Sequence, residues 1–100
     1  MKFTWDEKKR RRNLEKHGID FTDVELIFSH RMLVKLDTRR DYQEVRWAAL
    51  GQLKDAVVFL AYTLRGEDVR IISIRRANKK ERQIYAQAFQ DRLGQAESYD

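Results

Sequence analysis

Cysteine is absent from the 100 residues. That one absence removes disulfides, thiolate catalysis and cysteine-ligated zinc together, and it fits a chain kept in a reducing compartment. Proline is absent as well. With no low-complexity linker and no internal repeat, residues 1–100 are expected to form one domain, large enough to bury about two thirds of the unfolded surface. The two histidines, His17 and His30, have no HExxH or comparable ligand spacing, so neither a metal nor any other cofactor is expected. No apolar run approaches the roughly 20 residues of a membrane span, and the polar stretch Met1 to Arg12 lacks the apolar region of a signal peptide. The expectation is a cytoplasmic protein with no membrane partner.

Charge is what the chain has in excess. Twenty-one Lys and Arg face 16 Asp and Glu, for a net +5 and a pI near 9.7, which favours an anionic partner, nucleic acid above all. The excess is concentrated in VRIISIRRANKKERQIY, Val69 to Tyr85, where Glu81 is the sole acid. The β-branched run Val69 to Ile74 follows the turn residues Gly66-Glu67-Asp68 and predicts a central, buried strand. Arg75 and Arg76 leave its end. Ala77 to Phe89 then takes helical spacing, pairing Ile84 with Ala88 and Tyr85 with Phe89, and Lys79, Lys80 and Arg82 occupy its first turn. A guanidinium holds phosphate through two parallel hydrogen bonds. Alternatively, Arg75 and Arg76 pair with the chain's own acids and the lysines form a solvated helix face.

From the N-terminus, Phe3 to Trp5 reads as an extended segment. Asp6 then caps a helix running to about His17, which Gly18 ends in a left-handed conformation. The only large apolar residue of this helix is Leu14, so it must lean on Trp5, Ile19 and Phe21. Lys9, Asn13 and His17 share one face and either line a site or satisfy neighbouring backbone groups. Thr22 and Glu25 form a capping box for a second helix, Thr22 to Ser29. Strands are predicted at Met32 to Leu36, Glu44 to Leu50 and Ala56 to Arg65, with a mobile charged loop over Asp37 to Gln43 and a turn over Gly51 to Asp55. The segment 90–100 loses periodicity, and Leu93-Gly94 is expected to end the last helix before a loose tail. The fold expected is α+β: a small antiparallel meander with N-terminal helices and a C-terminal helix, the helices on one sheet face and the other partly open. In such a ladder Thr63 and Arg65 lie at the far end from Arg75 and Arg76.

An ordered set of residues carries a resemblance. Trp5-Asp6, Lys9, Asn13, Lys16-His17-Gly18-Ile19, Phe21, Gly51, Tyr62-Thr63, Arg65, Arg70 to Ser73, Arg75-Arg76-Ala77, Glu81-Arg82 and Tyr85 together resemble the BrnT family of bacterial toxins over residues 3–85. The resemblance implies a RelE-like fold, a ribonuclease that arrests translation and growth, and a BrnA-type antitoxin, expected in a heterotetramer with two toxin chains. For metal-independent RNA cleavage the candidate catalytic residues are Arg65, Arg75, Arg76, Lys9, His17 and Tyr85. Thr63, Asn13, Lys79, Lys80 and Arg82 are the candidate RNA contacts. His17 is the side chain that titrates near neutrality. The competing expectations are a basic RNA-binding or ribosome-associated module without catalysis, and a DNA-binding repressor, for which no helix-turn-helix spacing exists.

Overall fold

A computed structural model describes residues 1–97, with side chains described through residue 89. Five strands form one mixed sheet in the order β1-β5-β4-β3-β2. The strands are β1 (Lys2–Trp5), β2 (Leu33–Leu36), β3 (Trp47–Leu53), β4 (Ala56–Arg65) and β5 (Asp68–Arg76); the helices are α1 (Glu7–His17), α2 (Val24–Phe28) and α3 (Lys79–Glu97). The meander β2 to β5 is antiparallel as expected, but β1 joins the edge of β5 in parallel, Phe3 opposite Val69 and Trp5 opposite Ile71, so the sheet is not purely antiparallel. The two are the first and last strands of the chain, with everything from α1 to β4 between them, as parallel neighbours cannot be joined by a tight turn.

One sheet face carries the core. Phe21, Val24 and Ile27 pack on Val58, Leu60, Ile71 and Ile74, all at most 1% exposed. On the other face Phe59, Ala48 and Ala61 form a smaller cluster, and α3 lies over part of it: Glu81 and Ile84 border a groove with Leu33, Leu50 and Phe59. This corrects the expectation of helices on a single face. Arg75 is the reason, because it points to the Phe59 side of β5 and holds α3 there through Glu81.

Three local expectations also change. The turn expected over Gly51 to Asp55 is only Lys54-Asp55, with Leu53 paired to Ala56 and Lys54 at φ 55. Gly51 is strand, and glycine stands there because Ile27 crosses it: a Cβ would lie 2.7 Å from Ile27 Cγ2. The Thr22–Glu25 capping box is not formed. Asp20 instead accepts the Thr22 N–H and opens a short 3-10 turn, Phe21–Asp23, ahead of α2. Finally, Gly94 does not end α3, which runs to Glu97. One interior glycine costs a helix only about 1 kcal/mol, and Gln95, Ala96 and Glu97 are good helix formers. The rest of the expected tail lies outside the described residues.

Helix α1 is as expected in its bounds and caps, with Asp6 accepting the Lys9 N–H and Gly18 at φ 70. Its docking is unusual, because its buried residue is Asn13 while Leu14 is 40% exposed. Beyond Ile71, where β1 stops, the edge of β5 is open, and Asn13 fills it. The amide donates to the Ile74 and Ile19 carbonyls and accepts from the Ile74 N–H, at 2.8, 3.0 and 3.0 Å. One side chain therefore replaces a strand neighbour and draws Ile19 and Phe21 into the core. Asn13→Ala is predicted to cost at least about 2 kcal/mol, because it orphans buried backbone groups at about 1–3 kcal/mol each. Urea denaturation measures this, and a loss below about 0.5 kcal/mol contradicts the assignment.

Candidate functional site

The end of β5 is where cations converge. Arg76 stands opposite Val58 on the core side of the sheet, and its exposed side chain borders a cavity of about 310 Å³ that Gly18, Asp23, Lys54 and Asp55 also line. Among the described residues Arg76 makes no ion pair within 4 Å. His17, half-buried at the end of α1, immediately precedes Gly18, which lines the cavity, and is not itself among the lining residues. Its burial, with Lys16 and Arg75 nearby, holds the imidazole below its usual pKa of 6.5, so it is neutral and able to accept a proton near pH 7. Three elements build this place: the Asn13 tie brings α1 alongside, β5 delivers the arginine, and the β3–β4 turn brings Lys54.

Arg75 points the opposite way and is already occupied. Its guanidinium makes two hydrogen bonds to Glu81, at 2.8 and 3.0 Å, and stacks 4.2 Å from the centre of the Phe59 ring. Arg39 lies over the same ring at 5.0 Å and is held by Asp37, whose side chain is 1% exposed and also accepts from Tyr42. Glu81 additionally accepts the Asn78 N–H while donating its own N–H to the Asn78 side chain, a reciprocal capping box that starts α3. The segment Asp37 to Gln43, expected to be mobile, is thus tied to the sheet.

The remaining expected site residues are dispersed. Arg65 lies seven positions along β4 from Val58, the partner of Arg76, or about 23 Å at roughly 3.3 Å per residue, and pairs loosely with Glu44 at 3.7 Å. The structure does not bring Arg65 and Arg76 together. Thr63 is buried, its hydroxyl donating to the Val45 carbonyl at 2.6 Å, and Asn13 is consumed by backbone, so neither presents its polar atoms to a ligand. Lys9 is exposed on α1, eight residues or about 12 Å along the helix from His17. Lys79 and Lys80 are exposed at the start of α3, and Arg82 turns back to donate to the Ala77 carbonyl at 2.9 Å. Tyr85 sits on the α3 side of the sheet, its hydroxyl donating to the Arg31 carbonyl at 3.0 Å, and burial raises its pKa above the usual 10.

Lys54, Asp37 and Arg39 escaped sequence reasoning. Lys54 had one available signal, its place beside Asp55 in a turn between two apolar strands. Asp37 and Arg39 had none, since their partners come from the fold.

A strand-end arginine and a turn lysine lining one cavity are cations suited to holding a phosphate. Residues 5–81 match the family described as "Ribonuclease toxin, BrnT, of type II toxin-antitoxin system". The protein is thus a ribonuclease toxin, the RNA-cleaving half of a pair whose other half is an antitoxin. It belongs to the BrnT family. No curated protein matches the chain.

Asp37 gives this half of the molecule a pH signature. The hydrogen bonds from Arg39 hold its carboxyl down at about 2 against the usual 3.8, so its contribution to stability is present above pH 3.8 and is lost as pH falls through 2. Asp37→Asn is predicted to lower stability at pH 7 by about 1–3 kcal/mol. In urea titrations across pH, the gap between wild type and variant should close over that acid window; a constant gap contradicts the assignment.

Proposed function

We propose that this toxin cleaves RNA without a metal ion at the cavity where Arg76 and Lys54 meet the end of α1, in the cytoplasm, and that its sheet and flanking helices belong to the RelE-like class. The observation that supports the reading most is the exposed Arg76 guanidinium, without an ion pair among the described residues and sharing a cavity with Lys54 and with Gly18, the residue that follows His17 at the end of α1. Arg76 and Lys54 hold the scissile phosphate and offset the charge that builds on it. Neutral His17 takes the proton of the ribose 2′-hydroxyl. The 2′-oxygen bonds to phosphorus, the bond to the 5′-oxygen breaks, and that oxygen is protonated from water, leaving a 2′,3′-cyclic phosphate and a 5′-hydroxyl. Lys79 and Lys80 extend the cationic surface along the departing strand. Arg75 acts at one remove by fixing α3 and by adding, after burial and Lys16, to the lowering of the His17 pKa, whereas Arg65 and Lys9 lie outside the reacting centre.

The antitoxin neutralises by covering the Arg76 cavity, in a heterotetramer with two toxin and two antitoxin chains. Light scattering on the co-purified pair tests this; a mass for one toxin with one antitoxin contradicts it.

End-labelled RNA incubated with the purified toxin in EDTA tests the chemistry. Wild type should cleave, Arg76→Ala should lose about 100-fold or more in rate, and Arg65→Ala should stay within about threefold of wild type, a difference under about 0.7 kcal/mol. The rate should rise with pH through a midpoint below 6.5, and His17→Ala should abolish that limb. A wild type inert in EDTA, or an Arg76→Ala toxin cutting at full rate, overturns the reading.

A further inference from the structure

On the far side of the β3–β4 turn from Arg76 lies a second, larger cavity of about 570 Å³. Its walls are aromatic and aliphatic. Tyr85 and Phe89 meet edge to face, with ring centres 4.8 Å apart, and Ala56, Val57 and Ala86 complete the apolar lining. The Arg31 guanidinium lies 5.9 Å from the centre of the Phe89 ring. The Tyr85 hydroxyl donates to the Arg31 carbonyl, which fixes the tyrosine ring and the segment opposite it relative to each other. The polar lining is His30, Arg31, Gln52, whose amide nitrogen donates to the Lys54 carbonyl, and Asp55.

We propose that this cavity is a nucleobase subsite, in which Tyr85 and Phe89 stack one unpaired base of an RNA strand whose neighbouring phosphate lies at Arg76. Aromatic rings accept any base face, a guanidinium adds to the stack, and a carboxylate and an amide oxygen accept from exocyclic amines at the base edge. Position is the second support. The two cavities share Asp55 and Ala56 and lie on opposite faces of one hairpin tip, whose loop is only Lys54-Asp55. A ligand crossing that tip must present an anion on one side and a flat ring on the other. Successive nucleotides do so along their length, while an uncharged aromatic side chain of a protein partner would meet only one of the two requirements. The inference rests on the proposed cleavage site for the position of the phosphate, and it gives Tyr85 a role in base binding.

A short 2′-O-methyl RNA carrying 2-aminopurine tests it, since it cannot be cleaved through a 2′-hydroxyl. Wild-type toxin should quench the fluorophore at one position of the series. Tyr85→Leu and Phe89→Leu should weaken binding by about tenfold each and abolish the quench. Tyr85→Phe, which keeps the ring but not the hydroxyl, should retain both, an outcome that a purely structural role for the Arg31 bond does not give. Arg76→Ala should weaken binding but leave the quench at saturation. Circular dichroism melts confirm that each variant is folded. Folded leucine variants that bind and quench like wild type overturn the subsite, as does loss of antitoxin capture with RNA binding unchanged. Failure of the cleavage site is read separately: quenching lost with Tyr85→Leu while wild type cuts no natural RNA in EDTA supports the subsite and sinks the nuclease centre.

Discussion

The amide of Asn13 against the backbone of Ile74 is the contact on which the arrangement of this molecule depends. Helix α1 is built almost entirely of charged residues and cannot be held by an apolar stripe, so a single buried side chain performs the docking by imitating a strand neighbour. Its consequences are positional. It closes the edge of β5 that β1 leaves open, it sets Ile19 and Phe21 into the core, and it fixes the end of the helix, with His17 and Gly18, beside the end of β5.

The distribution of charge is equally instructive. A net +5 invites the picture of one cationic pocket, yet five guanidiniums are answered within the chain: Arg10 by Glu7 and Asp20, Arg39 by Asp37, Arg46 and Arg65 by Glu44, Arg75 by Glu81. The more exposed of these pairs contribute little stability, unlike that of the buried Asp37, but all remove their cations from competition for a ligand. Among the described residues, the exposed cations without an ion pair near the cavity end of β5 include Arg76 and lysines 54, 79 and 80. Adjacent arginines of one strand point to opposite faces, and the alternation divides their work. Arg75 supports the Phe59 face and α3, while Arg76 faces the cavity beside α1.

Much of the fold was legible because the relevant signals are local. The Asp6 cap, Gly18 and the uninterrupted run Ala56 to Arg65 needed only neighbouring residues to be interpreted. The failures arise where distant residues decide. Gly51 resembles a turn until Ile27 is seen to lie on it, and Thr22 with Glu25 resembles a capping box until Asp20 takes the Thr22 N–H. The side of the sheet taken by α3 follows from an arginine and a glutamate six residues apart, a pairing that spacing alone does not dictate. For the site, the separation of Arg65 from Arg76 was visible in the hairpin register, whereas the burial of Asn13 and Thr63 and the arrival of Lys54 depend on packing that no local pattern encodes.

The account turns on α1 holding His17 against the arginine end of β5. Proton NMR titration of the His17 imidazole, in wild type and in Asn13→Ala, reads that placement directly. The account predicts a midpoint below 6.5 in wild type, rising toward 6.5 when the loss of the amide frees the helix. A wild-type midpoint at or above 6.5, or one indifferent to Asn13→Ala, would contradict it.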